Sequence, residues 1–109
     1  MKLDFQALPE KVLEGFWGGD GVLRAQMYTD EQNKILRGCL APGHSIGYHQ
    51  HDTSCEVIFF LSGNGTVITD GKEEAVRAGD CHYCQKGSFH SLRNTGETDL
   101  VFFAVVPKQ

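Results

Sequence analysis

The stretch GHSIGYHQHDTSCEVIFFLSG, residues 43–63, decides how this chain reads. Its second half has the β-branched and aromatic character of a buried strand, yet His49, His51 and Glu56 fall within it. In an extended strand the side chains alternate between faces. His49 and His51 therefore leave the same side, with Cα atoms about 6.5–7 Å apart. Two imidazoles so placed can lean onto one ion with bonds of about 2.1 Å. Glu56 stands at an odd separation from His51, which on one straight strand sends it to the opposite face. A turn at Asp52-Thr53-Ser54 resolves the conflict by reversing the chain, so that Glu56 rejoins the histidines from the neighbouring strand. Ile58 and Phe60 then share the face of Glu56 and give it an apolar, water-poor surround, while Cys55, Val57 and Phe59 face away.

Working outward, the chain reads as many short strands with Gly-rich turns, the pattern of a sandwich or barrel. Strands are expected at 22–29, 34–41, 46–51 and 55–62, followed by TVIT and KEEAVRA around Asp70-Gly71. Both residues of that pair tolerate positive φ, which is a two-residue hairpin signal. CHYC (81–84), FHSLR (89–93) and LVFFAVV (100–106) complete the set, and His90 sits at the start of its strand after the loop Gln85–Ser88. PEKVLEGF (9–16) is expected to form a helical turn or two. FWGGDG (16–21) reads as a flexible turn, because a phosphate-cradling loop needs a strand before it and a helix after it. Phe16 and Trp17 are either core or an apolar patch covered by a second subunit.

Composition bounds the rest. The 109 residues are 40% hydrophobic and 22% charged, enough for one hydrophobic core. A net charge of -4 argues against nucleic acid or an anionic membrane surface as the main partner. No apolar run approaches the roughly 20 residues that span a bilayer, and MKLDFQALPEK lacks a signal-peptide apolar region, so a cytoplasmic chain is expected. Cys39, Cys55, Cys81 and Cys84 then read as free thiols. Cys81 and Cys84 have C-x-x-C spacing, but on a strand their thiols point to opposite faces and no second pair accompanies them. His44 and His82 read as ordinary surface or hydrogen-bonded histidines, each a secondary candidate for lining a pocket.

The residues now carry a family resemblance. From Gly43 the chain resembles the first motif of the cupin superfamily: Gly43, five residues, His49, one residue, His51, four residues, Glu56, six residues, Gly63. From Gly79 it resembles the second: Gly79, five residues, Gln85 where proline is usual, Gly87, two residues, His90, three residues, Asn94. Proline would preset the turn before His90, so its replacement is expected to loosen that turn without removing a ligand.

The resemblance implies an all-β fold, a single jelly-roll (double-stranded β-helix) cupin domain over residues 1–109, with 1–21 an N-terminal arm and candidate dimer contact. It implies His49, His51, Glu56 and His90 as ligands of one divalent transition metal: iron, manganese, nickel, cobalt, copper or zinc. Three neutral imidazoles and a carboxylate leave such an ion a net charge near +1. Six-coordination keeps two positions open, whereas four-coordinate zinc would be closed. The implied function is a metal-dependent enzyme acting on a small oxygen-rich metabolite, a sugar or carboxylate, by isomerase, dioxygenase or lyase chemistry. The alternative is a non-catalytic binding module for the same ligands. A phosphosugar isomerase would need a cationic clamp, and the order of Arg24, Arg37, Arg77, Lys86 and Arg93 places no two of them together. The apolar strand LVFFAVV and the pair Phe16-Trp17 add the expectation of a homodimer.

Overall fold

Ten strands form two antiparallel sheets in the computed structural model, which describes residues Met1–Gln109. They are β1 (Lys11–Glu14), β2 (Val22–Thr29), β3 (Asn33–Leu40), β4 (Ser45–Gln50), β5 (Glu56–Ser62), β6 (Asn64–Thr69), β7 (Lys72–Arg77), β8 (Cys81–Cys84), β9 (Phe89–Asn94) and β10 (Leu100–Pro107). The larger sheet runs β1-β2-β3-β10-β5-β8 and the smaller β4-β9-β6-β7. This is the jelly-roll, double-stranded β-helix architecture. Asp70-Gly71 makes the β6–β7 hairpin with both residues at positive φ, as the dipeptide requires.

Period-two patterning builds the core. Leu36 and Leu40 on β3, Ile58 and Phe60 on β5, and Leu100, Phe102 and Ala104 on β10 point inward from the larger sheet. Ile46, Val67, Val76 and Leu92 meet them from the smaller one. Phe102 lies directly over Gly38, where an added Cβ would come within 2.4 Å of its ring, so the glycine makes room for the largest core side chain.

Two expectations need correction. Residues 9–16 form no α-helix: Lys11–Glu14 pairs antiparallel with Val22–Ala25 of β2, and Phe16 only opens a 3-10 turn, Phe16–Gly18. A helix this short cannot recover its nucleation cost, whereas strand pairing satisfies the same backbone groups at once. The Asp52–Ser54 turn does not return the chain to a neighbouring strand of the same sheet either. It carries the chain from β4, an edge of the smaller sheet, across to β5 in the larger one. Glu56 therefore approaches the histidines from the opposite wall of the barrel.

The parity of β4 is also interrupted. Ile46 pairs with Leu92 and His49 with His90, so three steps on β4 match two on β9. This bulge at Gly47-Tyr48 lets Ile46 and His49 both face inward although their separation is odd.

Candidate metal centre

His49 lies near the end of β4, His51 just beyond it, Glu56 opens β5 and His90 is second on β9. The fold brings all four to one place, with one donor atom from each within 4.8 Å of the others. Glu56 Oε1 is 3.0 Å from His51 Nε2 and 2.9 Å from His90 Nε2, and those two nitrogens are 3.0 Å apart. All four residues are buried.

The loop of the second motif fastens His51 directly. Its N–H donates to the Ser88 carbonyl at 3.0 Å, and Gly87 N–H donates back to the His51 carbonyl. Gly87 takes φ 91°, and the Ser88 N–H closes the turn on the Gln85 carbonyl at 3.0 Å. The turn closes on these hydrogen bonds with Gln85 in the position where proline is usual. Asn94, at the end of the motif, is an architectural lock rather than part of the site. Its Nδ2 donates to the Leu40 and Thr98 carbonyls at 2.7 and 2.8 Å, and its Oδ1 accepts from Gly96 N–H.

Each imidazole is held at Nδ1, which leaves Nε2 for the centre. His49 Nδ1–H donates to the Gly47 carbonyl at 2.7 Å, His51 Nδ1 meets Ser54 Oγ at 2.9 Å, and His90 Nδ1 meets His82 Nε2 at 2.9 Å. Burial holds His49 below the usual imidazole range, partly offset by its bond to Gly47. Burial alone would raise the Glu56 carboxyl, but hydrogen bonds from His51 and His90, reinforced by their charge, outweigh it and bring it to about 2. The chemistry of the donor set fits a divalent transition metal: three imidazoles and one ionised carboxylate converge in an apolar surround, and an ion bound there would take the place of the protons through which His51 and His90 meet Glu56. An ion held there would supply Lewis acidity.

The site opens into a cavity of about 240 Å³ walled by Leu23, Leu36, Ile46, Ile58, Leu92 and Phe102. Lys34 is the single lysine or arginine on its lining, and it forms no ion pair. Trp17 also borders the cavity. Its indole lies flat on His49, with ring centroids 4.8 Å apart and planes within 8°, while 59% of the residue stays exposed. It holds φ at 53°, a left-handed conformation rare for a bulky residue and one fixed here by the surrounding structure. Phe16 packs against the core cluster, so the pair divides between core and cavity wall.

The sequence reading passes over Lys34, gives His82 only as a secondary candidate for lining a pocket, and leaves Trp17 between core and an apolar patch. Lys34 has the inward parity of Leu36 and Leu40, a signal that was there to read. His82 shares the inward face of β8 with Cys84, opposite Ile58 of β5. Trp17 offered no such signal, because its place depends on a contact with β4. His44 keeps its ordinary reading: its Nδ1 accepts from Val22 N–H at 3.2 Å, away from the centre. The cysteines are unpaired, with Cys81 exposed and Cys84 buried on opposite faces of β8. Burial pushes the Cys84 thiol up to about 12, which removes it from thiolate chemistry.

A family model described as the cupin domain matches residues 36–106, a span that holds all four donors and most of both sheets. The chain is a cupin. This cupin is 42% identical over 103 residues to an oxalate-binding protein of Thermotoga maritima, covering 90% of the chain and 85% of the relative. Its fold superposes with a TM-score of 0.94 on the crystal structure of a predicted oxalate decarboxylase from Thermotoga maritima, 29% identical, with both chains fully covered. A Cupin 2 conserved barrel domain protein from Salinispora arenicola is 26% identical with a TM-score of 0.71, covering 97% of this chain and 85% of that one.

Proposed function

We propose that this cupin holds one divalent transition metal through His49, His51, Glu56 and His90, and that it binds a small dicarboxylate of the oxalate type at that ion. The observation that carries the reading is the composition of the cavity: a buried donor cluster in an apolar chamber with one unpaired cation, Lys34, on its wall. Charge supports the class of ligand. A divalent ion with one ionised carboxylate carries about +1, so a dicarboxylate leaves about −1 in low dielectric, which Lys34 offsets. The likeness to an oxalate-binding protein points to the same ligand. A chamber of about 240 Å³ suits a ligand of a few heavy atoms.

The test is a titration of the cobalt-loaded protein with oxalate, read by its visible spectrum and by calorimetry. Saturable binding at one site is expected. Lys34→Met is expected to weaken it about tenfold, the loss of one charge-assisted contact, with acetate much less affected. Oxalate that leaves the cobalt spectrum unchanged would defeat the proposal. Metal-dependent turnover is the second reading, favoured by the likeness to the predicted oxalate decarboxylase. Recovery of oxalate unchanged after long incubation, with and without oxygen, assigns the protein as a binding module. Metal-dependent consumption assigns it as an enzyme.

A homodimer belongs to the same proposal. Phe59, Leu61 and Tyr83 are each about half exposed on the outer face of the larger sheet, beside Val57 and Phe103. An apolar field of this kind on a small barrel is a surface for a second copy. Light scattering at micromolar concentration is expected to give twice the chain mass, and Phe59→Glu to halve it. A monomer for the unaltered protein would refute this part.

A further inference from the structure

We infer that His82 is a positioning residue for the metal centre: its Nε2 accepts the Nδ1–H of His90 and so presents His90 Nε2 to the ion. The inference rests on the proposed reading of His90 as a metal ligand. His82 is buried, its Nε2 lies 2.9 Å from His90 Nδ1, and the two rings meet edge to edge, with centroids 5.2 Å apart and planes 24° apart, as a hydrogen bond between ring nitrogens requires. It comes from β8, on the larger sheet, while His90 belongs to β9 of the smaller one, so the contact crosses the barrel interior.

The direction of the hydrogen bond follows from elementary valence. A neutral imidazole carries one N–H. An imidazole that gives its Nε2 lone pair to an ion must carry that hydrogen on Nδ1, and a partner there must accept. His49 and His51 find oxygen acceptors in the Gly47 carbonyl and Ser54 hydroxyl. His90 has neither, and the one partner at its Nδ1 is the nitrogen of His82. His82 can accept only through an Nε2 free of hydrogen, so its own N–H sits on Nδ1. That nitrogen has no partner within the protein, and His82 lines a cleft of about 380 Å³ shared with Thr69, Glu74 and Asp80. The cleft lies by the free edges of both sheets, β7 and β8. It is polar and wide enough to bring water to the His82 Nδ1–H. Thr69 Oγ1, buried without a protein partner on the same lining, calls for such water independently.

Outer-shell partners of metal-bound histidines typically contribute 10–100-fold in metal affinity. His82→Phe keeps ring volume and removes the acceptor. It is expected to weaken zinc(II) and manganese(II) binding by about that factor in competition with a chelating dye, while its circular dichroism stays β-rich. His82→Gln, whose Oε1 can accept, is expected to recover most of the loss, which a purely packing role would not allow. A direct measurement needs no variant. In the zinc-loaded protein, nitrogen NMR is expected to show His90 with its hydrogen on Nδ1, coupled through the hydrogen bond to an unprotonated His82 Nε2. Equal affinity in His82→Phe, or a hydrogen found on His82 Nε2, overturns the assignment while leaving the metal site standing. An unaltered protein that binds neither ion overturns the proposed metal reading, and this inference with it.

Discussion

His51→Ala is expected to lower divalent-metal affinity by at least about a hundredfold, beyond what loss of an outer-shell partner costs. The residue provides one of four converging donors, and its Nε2 lies 3.0 Å from both Glu56 Oε1 and His90 Nε2. Removing it leaves two imidazoles and a carboxylate, too few to complete a four-donor centre. The fold is expected to survive. The structural contribution of His51 runs through its backbone, in the paired bonds to Ser88 and Gly87, and alanine retains both. Elemental analysis of untagged protein, alongside circular dichroism, checks the two halves separately. Full metal occupancy in a well-folded His51→Ala protein would defeat the four-donor assignment, whereas an unfolded one would show that the side chain also holds the β4–β5 crossing.

The four converging side chains were legible because their evidence is local. Fixed spacings around two glycine-bounded motifs name His49, His51, Glu56 and His90 without any knowledge of which strands pair. Strand parity explained part of the convergence and misjudged the rest. It placed Glu56 on a neighbouring strand, while the chain in fact crosses between sheets. It also could not foresee the bulge at Gly47-Tyr48, since one inserted residue inverts the faces of everything beyond it and leaves little trace in composition. The residues that complete the site are illegible for a related reason. His82 reaches His90 from the other sheet, and Trp17 meets His49 from a segment that sequence reading left as a flexible turn. Such contacts are set by how the two sheets close on each other, which no short window of sequence contains. The strand 11–14 was missed because its stability comes from pairing with β2 rather than from its own propensity.

The second large effect is expected at Gly47. A Cβ built there would stand 1.9 Å from the Trp17 carbonyl oxygen and 2.9 Å from Gly19 N; reciprocally, a Cβ at Gly19 would meet the Ser45 carbonyl at 2.2 Å. The segment 17–19 thus lies flat on β4, backbone against backbone, because glycines face each other across the contact. No side chain can swing aside, so even alanine at position 47 must lift the segment or displace β4 from β9. Gly47→Ala is therefore expected to destabilise the protein by about 2–3 kcal/mol, the upper part of the range for overpacking. The melting temperature should fall by roughly 10 °C or more. The consequence reaches the site, since lifting the segment releases Trp17 from its left-handed conformation and from the face of His49. Trp17 is the sole tryptophan of the chain, which makes its fluorescence a direct reporter. In the unaltered protein, metal binding at His49 should change the emission of the indole stacked on it. In Gly47→Ala the emission should shift to the red and lose most of its response to metal. An unchanged melting temperature with an unchanged, metal-responsive emission would show that the segment yields without cost, and that Trp17 is held over His49 by something other than this glycine contact.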